Sequence, residues 1–399
     1  MSASPTVAIV MSRLPRRIPP DAVWLRGLRA ALRRVCGCGA TLLIGDGTAG
    51  CDFLRRGAER LGIVHKFVAT DVTGWIGDSR GLPSADRTLL DAAEMVLTLG
   101  VRAGGNLHQL LAERLAQQRS VELVDLPELQ PASVRDGLLP LGASLWRPDP
   151  DSELPLKGPS AVVDTTRVNN GDEPSRSVCE IVPFPSREDW TLLTHTTRAC
   201  PNPWPNQSLD DYRDSLLDGR PDADHSAVAA LSRLIGERRL IASGRAIRGG
   251  HRVVSFTAVP LLDLPSLHRF RSHRGRWDFE PFGLCVRREW LQQRGVRPVV
   301  YGNEFAWSGL ADNERPYFQL ARSKSTRGKS PVNEIDWTVE REWRHEGDLN
   351  LNDLPPEEAL VFVPNYEAAR RVVAISPWPV TLWPDPTFDV VAERQQVQY

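Results

Sequence analysis

Along the first third of the chain, apolar positions switch repeatedly between a strand period and a helix period. Thr6 to Met11 is an apolar run of strand length, after which Trp24, Leu25, Leu28, Ala31, Leu32 and Val35 recur at helical spacing. Thr41 to Ile44 is a second strand-like run, and Phe53, Leu54, Ala58 and Leu61 mark the buried stripe of a second helix. Val64 to Ala69 predicts a third strand, Thr73 to Asp86 a polar loop, Arg87 to Ala93 a short helix and Met95 to Val101 another strand. Leu107, Leu110, Leu111 and Leu115 then define an amphipathic helix, and Val121 to Val124 a last short strand. Strands alternating with helices predict a Rossmann-like α/β domain with a parallel sheet, covered on both faces, over residues 1–146.

The pattern then changes. Residues 147–177 are dense in Pro, Asp, Ser, Gly and Asn and have little apolar periodicity, which predicts a linker, with a short strand from Asp164 to Val168. Residues 178–399 alternate short apolar runs with fewer helical stretches. Leu192 to Arg198, Arg239 to Ala242, His251 to Thr257, Pro298 to Tyr301, Thr338 to Arg344 and Ala359 to Val363 read as strands. Ser208 to Leu217 and Ser226 to Arg239 read as helices, so an α+β domain is expected.

Composition narrows the function classes. The 399 residues are 41% hydrophobic and 25% charged with a formal net charge of −1, so no global field draws the chain to nucleic acid or membrane. No apolar run approaches a membrane span and no signal peptide is legible, which predicts a cytoplasmic protein. The six cysteines are too few and scattered for a disulfide framework, and no spaced His or Cys pair completes a metal site. No metal is expected.

Candidate chemistry in the first domain gathers at its turns. Gly45-Asp46-Gly47-Thr48-Ala49-Gly50 is a G-x-G-x-x-G turn with a strand before it and a helix after it. Such a turn brings bare backbone N–H groups to a ligand, and the helix N-terminus behind it favours an anion. Parallel sheets gather ligands at the carboxyl ends of their strands. The candidate nucleotide-binding residues there are Gly45, Asp46, Gly47, Thr48, Gly50, Asp52, Arg80, Arg87, Gly104, Gly105 and Asn106. Arginines in these loops are suited to clamp phosphate, and Asp52 or Asp71 to take ribose hydroxyls. The competing reading is that Asp52 caps its helix and the arginines are solvated.

The order of these pieces resembles the SLOG superfamily: an opening strand ending near Ser12-Arg13, LLIGDGTAGCD, a Trp75-containing loop, Asp86-Arg87 and LTLGVRAGGN. The resemblance covers the first third of the chain and implies a Rossmann-like fold that binds nucleotides or nucleotide-derived signals. Hydrolases of that group carry a G-G-x-G-T turn followed by a helix with a catalytic glutamate. Here Gly104-Gly105 is followed by Asn106-Leu107-His108, so the resemblance implies a sensor rather than an N-glycosidic hydrolase.

In the second domain His195 closes a strand, Ser255-Phe256-Thr257 ends a second and Tyr301 a third. Glu340 and Glu342, two apart on an extended segment, are expected on one face beside Arg344. An H-x-T strand end, a later S-x-T strand and a late E-x-E strand resemble the DarT-like branch of the ADP-ribosyltransferases. That resemblance implies NAD as substrate, His195 on its ribose, Tyr301 on nicotinamide and Glu340 or Glu342 stabilising the oxocarbenium ion. A satisfied structural histidine is the competing reading of His195. Arg269 to Trp277 is the densest basic stretch, with aromatics interleaved, suited either to a phosphate backbone or to solvent.

The sequence therefore predicts a two-domain bacterial-type defence or stress protein, antiviral defence included. A SLOG-like domain senses a nucleotide, and the second domain acts on NAD or transfers ADP-ribose. The alternatives are a non-enzymatic, nucleotide-gated protein that binds nucleic acid or a partner, homo-oligomers included, and N-glycosidic hydrolysis in the first domain.

Overall fold

The computed structural model describes residues 4–12, 14, 18–69, 84–156, 181–183, 186–200, 202–244, 247–271, 276–324 and 334–384. The chain forms two compact units, Met1–Val168 with Cys200–His225, and Asn169–Ala199 with Ser226–Tyr399.

In the first unit the apolar runs pair as a six-stranded, all-parallel sheet. Its strands are β1 (Thr6–Val10), β2 (Thr41–Gly45), β3 (His65–Val68), β4 (Met95–Thr98), β5 (Ser120–Val124) and β6 (Ser144–Trp146), in the order β3-β2-β1-β4-β5-β6. This is the strand order of a doubly wound Rossmann sheet. The crossovers are α1 (Val23–Gly37), α2 (Cys51–Leu61), α3 (Ser84–Ala92), α4 (Asn106–Ala116) and α5 (Ala132–Leu138). Side chains alternate across each strand, so Val7, Ile9, Leu42 and Ile44 enter the core shared with α1 and α2. Ala8, Val10, Leu43 and Val96 enter the core shared with α3 and α4. The sixth strand, with α5 before it, is an element the apolar pattern did not reveal. Ser144–Trp146 is three residues long and half-exposed, so it carries no periodic apolar signal.

Two further pieces complete this unit. The start of the expected linker is not free chain: Leu156 is buried in the α1–α2 core, and Arg33 donates to the carbonyls of Leu154 (2.6 Å) and Pro155 (2.8 Å). The helix expected at Ser208 to Leu217 exists as α6 (Leu209–Asp218), opened by a Ser208–Asp211 capping box. Yet it packs here, with Tyr212, Leu216 and Leu217 in the α1–α2 core.

The second unit is built on a seven-stranded mixed sheet. Its strands are β7 (Leu192–Thr196), β8 (Val253–Thr257), β9 (Gly283–Arg287), β10 (Arg297–Pro298), β11 (Glu342–Glu346), β12 (Ala359–Val363) and β13 (Val380–Leu382). The order is β10-β11-β8-β7-β9-β12-β13, antiparallel except for β12 with β13. Helices α7 (Ala227–Glu237), α8 (Arg288–Gln293) and α9 (Tyr366–Val373) cover one face. Leu261, Leu264 and Trp383 cover the other. The expected α+β class holds. One strand does not: Thr338–Glu340 is a 3-10 turn, Arg341 follows with φ 44, and only Glu342–Glu346 is extended.

Candidate functional site

The carboxyl edge of the parallel sheet is where its loops converge, and β1 and β4 are adjacent there with connections running in opposite directions. That crevice is the topological switch point, where open α/β sheets bind ligands. The chain leaving β1 is tied to the chain leaving β4. Ser12 N–H donates to the Gly100 carbonyl (2.8 Å), and Arg102 N–H donates to Ser12 Oγ (2.9 Å).

Two glycine turns flank this crevice, and they differ. In the β2–α2 turn, Gly50 has φ 78, and a Cβ there would stand 2.5 Å from Met11 Sδ, so only glycine closes the turn. Thr48 Oγ1 donates to the Gly45 carbonyl (2.7 Å). Burial pushes the Cys51 thiol above its usual range. Asp52 sits in the first turn of α2 and pairs with Arg213 of α6. The N–H groups of Asp46, Thr48 and Cys51 in this turn are bound to backbone carbonyls, and the dipole of α2 is already answered by a carboxylate.

The β4–α4 turn is open. Gly104 has φ 68 and nothing within 4 Å of where a Cβ would be, and extended Gly105 precedes the helix. Helix α4 has no side-chain cap and no acidic residue in its first turn, and Asn106 at its start is exposed. Its first-turn N–H groups therefore keep their positive end unneutralised. His108 fastens the turn from behind by accepting the Gly104 N–H at Nδ1 (3.4 Å), while its Nε2 is buried against Gly137 without a partner among the described residues. Beneath, at the end of β4, Gln130 is fully buried and donates Nε2 to Thr98 Oγ1 (2.6 Å), with Oε1 unpartnered among the described residues. Neither Gln130 nor Arg213 carried a sequence signal, since both act across more than 30 intervening residues.

The remaining first-unit candidates divide. Gly45, Asp46, Gly47, Thr48, Gly50, Gly104, Gly105 and Asn106 stand on the two turns. Arg87 does not reach the edge: it lies on α3 and pairs with Glu113, beyond the middle of α4, at 3.0 Å. Arg80, Asp71, Asp78 and Trp75 lie outside the described residues.

In the second unit the candidates lie on neighbouring strands but not together. Thr194, Thr257 and Glu342 are in register on β7, β8 and β11 and share one face. His195 faces the other side, opposite Leu284 and edge-to-face with Phe256. Its Nδ1 meets the Ser255 carbonyl at 2.9 Å, and burial pushes its imidazole down to about 4. Glu340 lies on the 3-10 turn, so the expected shared face with Glu342 is corrected by the left-handed Arg341 between them.

Glu342 binds Arg344 with both oxygens, at Nε (2.9 Å) and Nη2 (2.8 Å). Arg344 is 1% exposed and also donates to the carbonyls of Pro316 (2.9 Å) and Phe318 (2.8 Å) and to Gln319 Oε1 (3.0 Å). The Tyr301 hydroxyl accepts the Glu342 N–H (2.9 Å), and burial pushes it up to about 12. Among the described residues, no group of three or more His, Cys, Asp or Glu could hold a metal ion. Among them, too, no helix is long and apolar enough to cross a membrane.

No family model matches the chain, and no curated protein sequence matches it. Solved structures do show a likeness. The molybdenum cofactor carrier protein of Chlamydomonas reinhardtii is 18% identical, over 36% of this chain and 89% of that one, with a TM-score of 0.27. The molybdenum cofactor binding protein of Rippkaea orientalis is 12% identical, over 38% and 94%, with a TM-score of 0.28. DNA processing protein A of Streptococcus pneumoniae is 16% identical, over 36% and 58%, with a TM-score of 0.28.

Proposed function

We propose that the first unit binds a phosphate-bearing nucleotide or nucleotide-derived cofactor at the β4–α4 turn, beside the end of β1. The observation that carries this is an uncapped, acid-free N-terminus of α4 behind an open glycine turn at the switch point of a doubly wound sheet. The role is recognition rather than hydrolysis. A glycosidic hydrolase needs a carboxylate beside the breaking bond, and the only one on α4, Glu113, lies toward its far end and pairs with Arg87.

Titration calorimetry with nucleoside phosphates, nicotinamide dinucleotides and the molybdenum cofactor tests the reading. At least one should bind, and Gly104→Asp, which sets a carboxylate where the anion would lie, should weaken it about tenfold or more. Unchanged affinity in that variant would refute the site.

A finer proposal gives the second unit an NAD or ADP-ribose chemistry within a defence or stress protein. What supports it is the adjacency of β7, β8 and β11, whose ends carry His195, Thr257 and Glu342 at one edge of the sheet. Against it stand the opposite facing of His195 and the use of Glu342 on Arg344. Mass spectrometry of NAD incubated with the protein, with and without the nucleotide that binds, decides it. Nicotinamide release is the expected product, and intact NAD under all conditions refutes the proposal.

A further inference from the structure

His108 is the third residue of α4, and its Nδ1 accepts the N–H of Gly104, just ahead of the helix (3.4 Å). In a capping box a glutamate or glutamine at this position takes an N–H at the helix start. Glutamate would set a negative charge in the first turn, against any anion bound there. A neutral imidazole accepts the N–H without that charge, so the helix end stays free of acid. The ring is wedged from its other side as well. A methyl on Gly137 of α5 would stand 3.2 Å from Nε2, and glycine is otherwise a poorer helix former than alanine. Gly137 leaves room for the ring.

An accepting Nδ1 fixes the tautomer: the proton of the neutral ring lies on Nε2, which is buried with no partner among the described residues. A second proton can enter only at Nδ1, and there it ends the bond to Gly104. The Gly104 N–H and the new Nδ1–H are then both donors on the turn, and the ring carries a positive charge. Beside an empty helix N-terminus that charge is repelled, and beside a bound anion it is attracted. Charged groups on the elements that seat the ring are Arg102 of the turn, Arg135 and Asp136 of α5, and Glu113 and Arg114 of α4. Arg135 pairs with Asp125 (3.7 Å), Glu113 with Arg87 (3.0 Å), and Arg114 with backbone carbonyls. Carboxylates and guanidiniums keep their charge across the range in which a histidine titrates, so a proton taken up there belongs to an imidazole.

Resting on the anion site proposed at this turn, we propose that His108 couples that site to a proton. It holds the turn as a neutral acceptor while the site is empty and takes up a proton as a phosphate-type anion binds. Sulfate is the probe, because it is a dianion throughout the histidine range and its own charge does not change. Amide shifts of Gly104 and Asn106 in the full chain, followed by NMR, read sulfate binding and the His108 bond together. Sulfate affinity should rise about tenfold from about pH 8 to about pH 5.5. His108→Asn, whose Oδ1 can still accept the Gly104 N–H, should keep the affinity found at about pH 8 and lose the rise. Gly137→Ala, which crowds the ring, should shift the Gly104 amide at about pH 8.

A rise that survives in His108→Asn would overturn the proposal. So would a pH-independent affinity in the native chain, or Gly104 and Asn106 amides that sulfate never moves. If His108→Asn does not fold, the native chain decides. Without sulfate its Gly104 amide should move with pH through the histidine range, and sulfate should carry that transition to higher pH. Nucleotide binding that Gly104→Asp abolishes, beside a pH-independent sulfate affinity, would leave the site standing and refute its coupling to His108. Binding of neither sulfate nor nucleotide would refute both.

Discussion

At the scale of single residues, His195 shows how burial chooses between two roles. The Nδ1 contact to the Ser255 carbonyl and the edge contact with Phe256 hold a neutral ring, pushed down to about 4 by desolvation. An unfolded histidine takes its proton near 6.5. Stability is therefore complete above that value, declines as the pH falls through it, and has lost its full share below about 4. The share amounts to roughly 3 kcal/mol. Urea midpoints at about pH 7 and about pH 5 should fall less in His195→Gln than in the native chain. An equal fall in both would contradict the assignment. A histidine at a strand end was visible in the sequence, but its facing was not, because that depends on which of two cores the strand presents it to.

At the scale of elements, one residue of backbone decides the fate of the acidic pair. Glu340 and Glu342 would share a face on a continuous strand, and the sequence from Thr338 to Arg344 has the composition of one. Arg341 instead adopts φ 44, a conformation that glycine usually signals and that arginine does not. Glu340 is left on a turn, and Glu342 forks onto a guanidinium that is 1% exposed. Removing one partner of such a pair leaves an uncompensated buried charge. Glu342→Ala should cost about 3–5 kcal/mol in chemical denaturation, and Glu342→Gln, which can still accept from Arg344, clearly less. A Glu342→Ala protein as stable as the native chain would show that the pair does not hold this part of the sheet.

At the scale of the whole molecule, the striped helix α6 is the informative element. Asp210, Asp214 and Asp218 recur every four residues along it and meet Arg55, Arg56 and Arg60 of α2. Arg55–Asp210 is 3.0 Å, Arg60–Asp214 3.3 Å and Arg60–Asp218 2.7 Å, with Arg56 bound to Asp214. Arg29 reaches the last carbonyls of α6 at Leu216 (2.6 Å) and Leu217 (2.9 Å). A strand of the second unit precedes this segment and a helix of the second unit follows it, while its core contacts belong to the first unit. Asp214→Asn should loosen α6 by about 2 kcal/mol, since Asp214 is buried and serves two arginines. Hydrogen exchange should quicken across Leu209–Asp218 and stay unchanged in β7, β8 and β9. Uniform quickening, or none, would contradict the clamp.

Much of the first unit was legible because its signals are local. Buried parallel strands are apolar throughout, helices carry a 3.6-residue stripe, and glycines mark the turns between them. Residues within a few positions of one another therefore determined the five longer strands, the first four crossover helices and the two turns of the candidate site. What they could not determine depends on partners far along the chain. The closing of the β2–α2 turn depends on Met11 and on Arg213 of α6, which answers Asp52. The separation of His195 from Glu342 depends on strand register, where one residue reverses a side chain's face. The docking of α6 depends on arginines about 155 positions upstream. Those outcomes belong to the tertiary structure, because pairing free energy is gained only once distant segments are brought together.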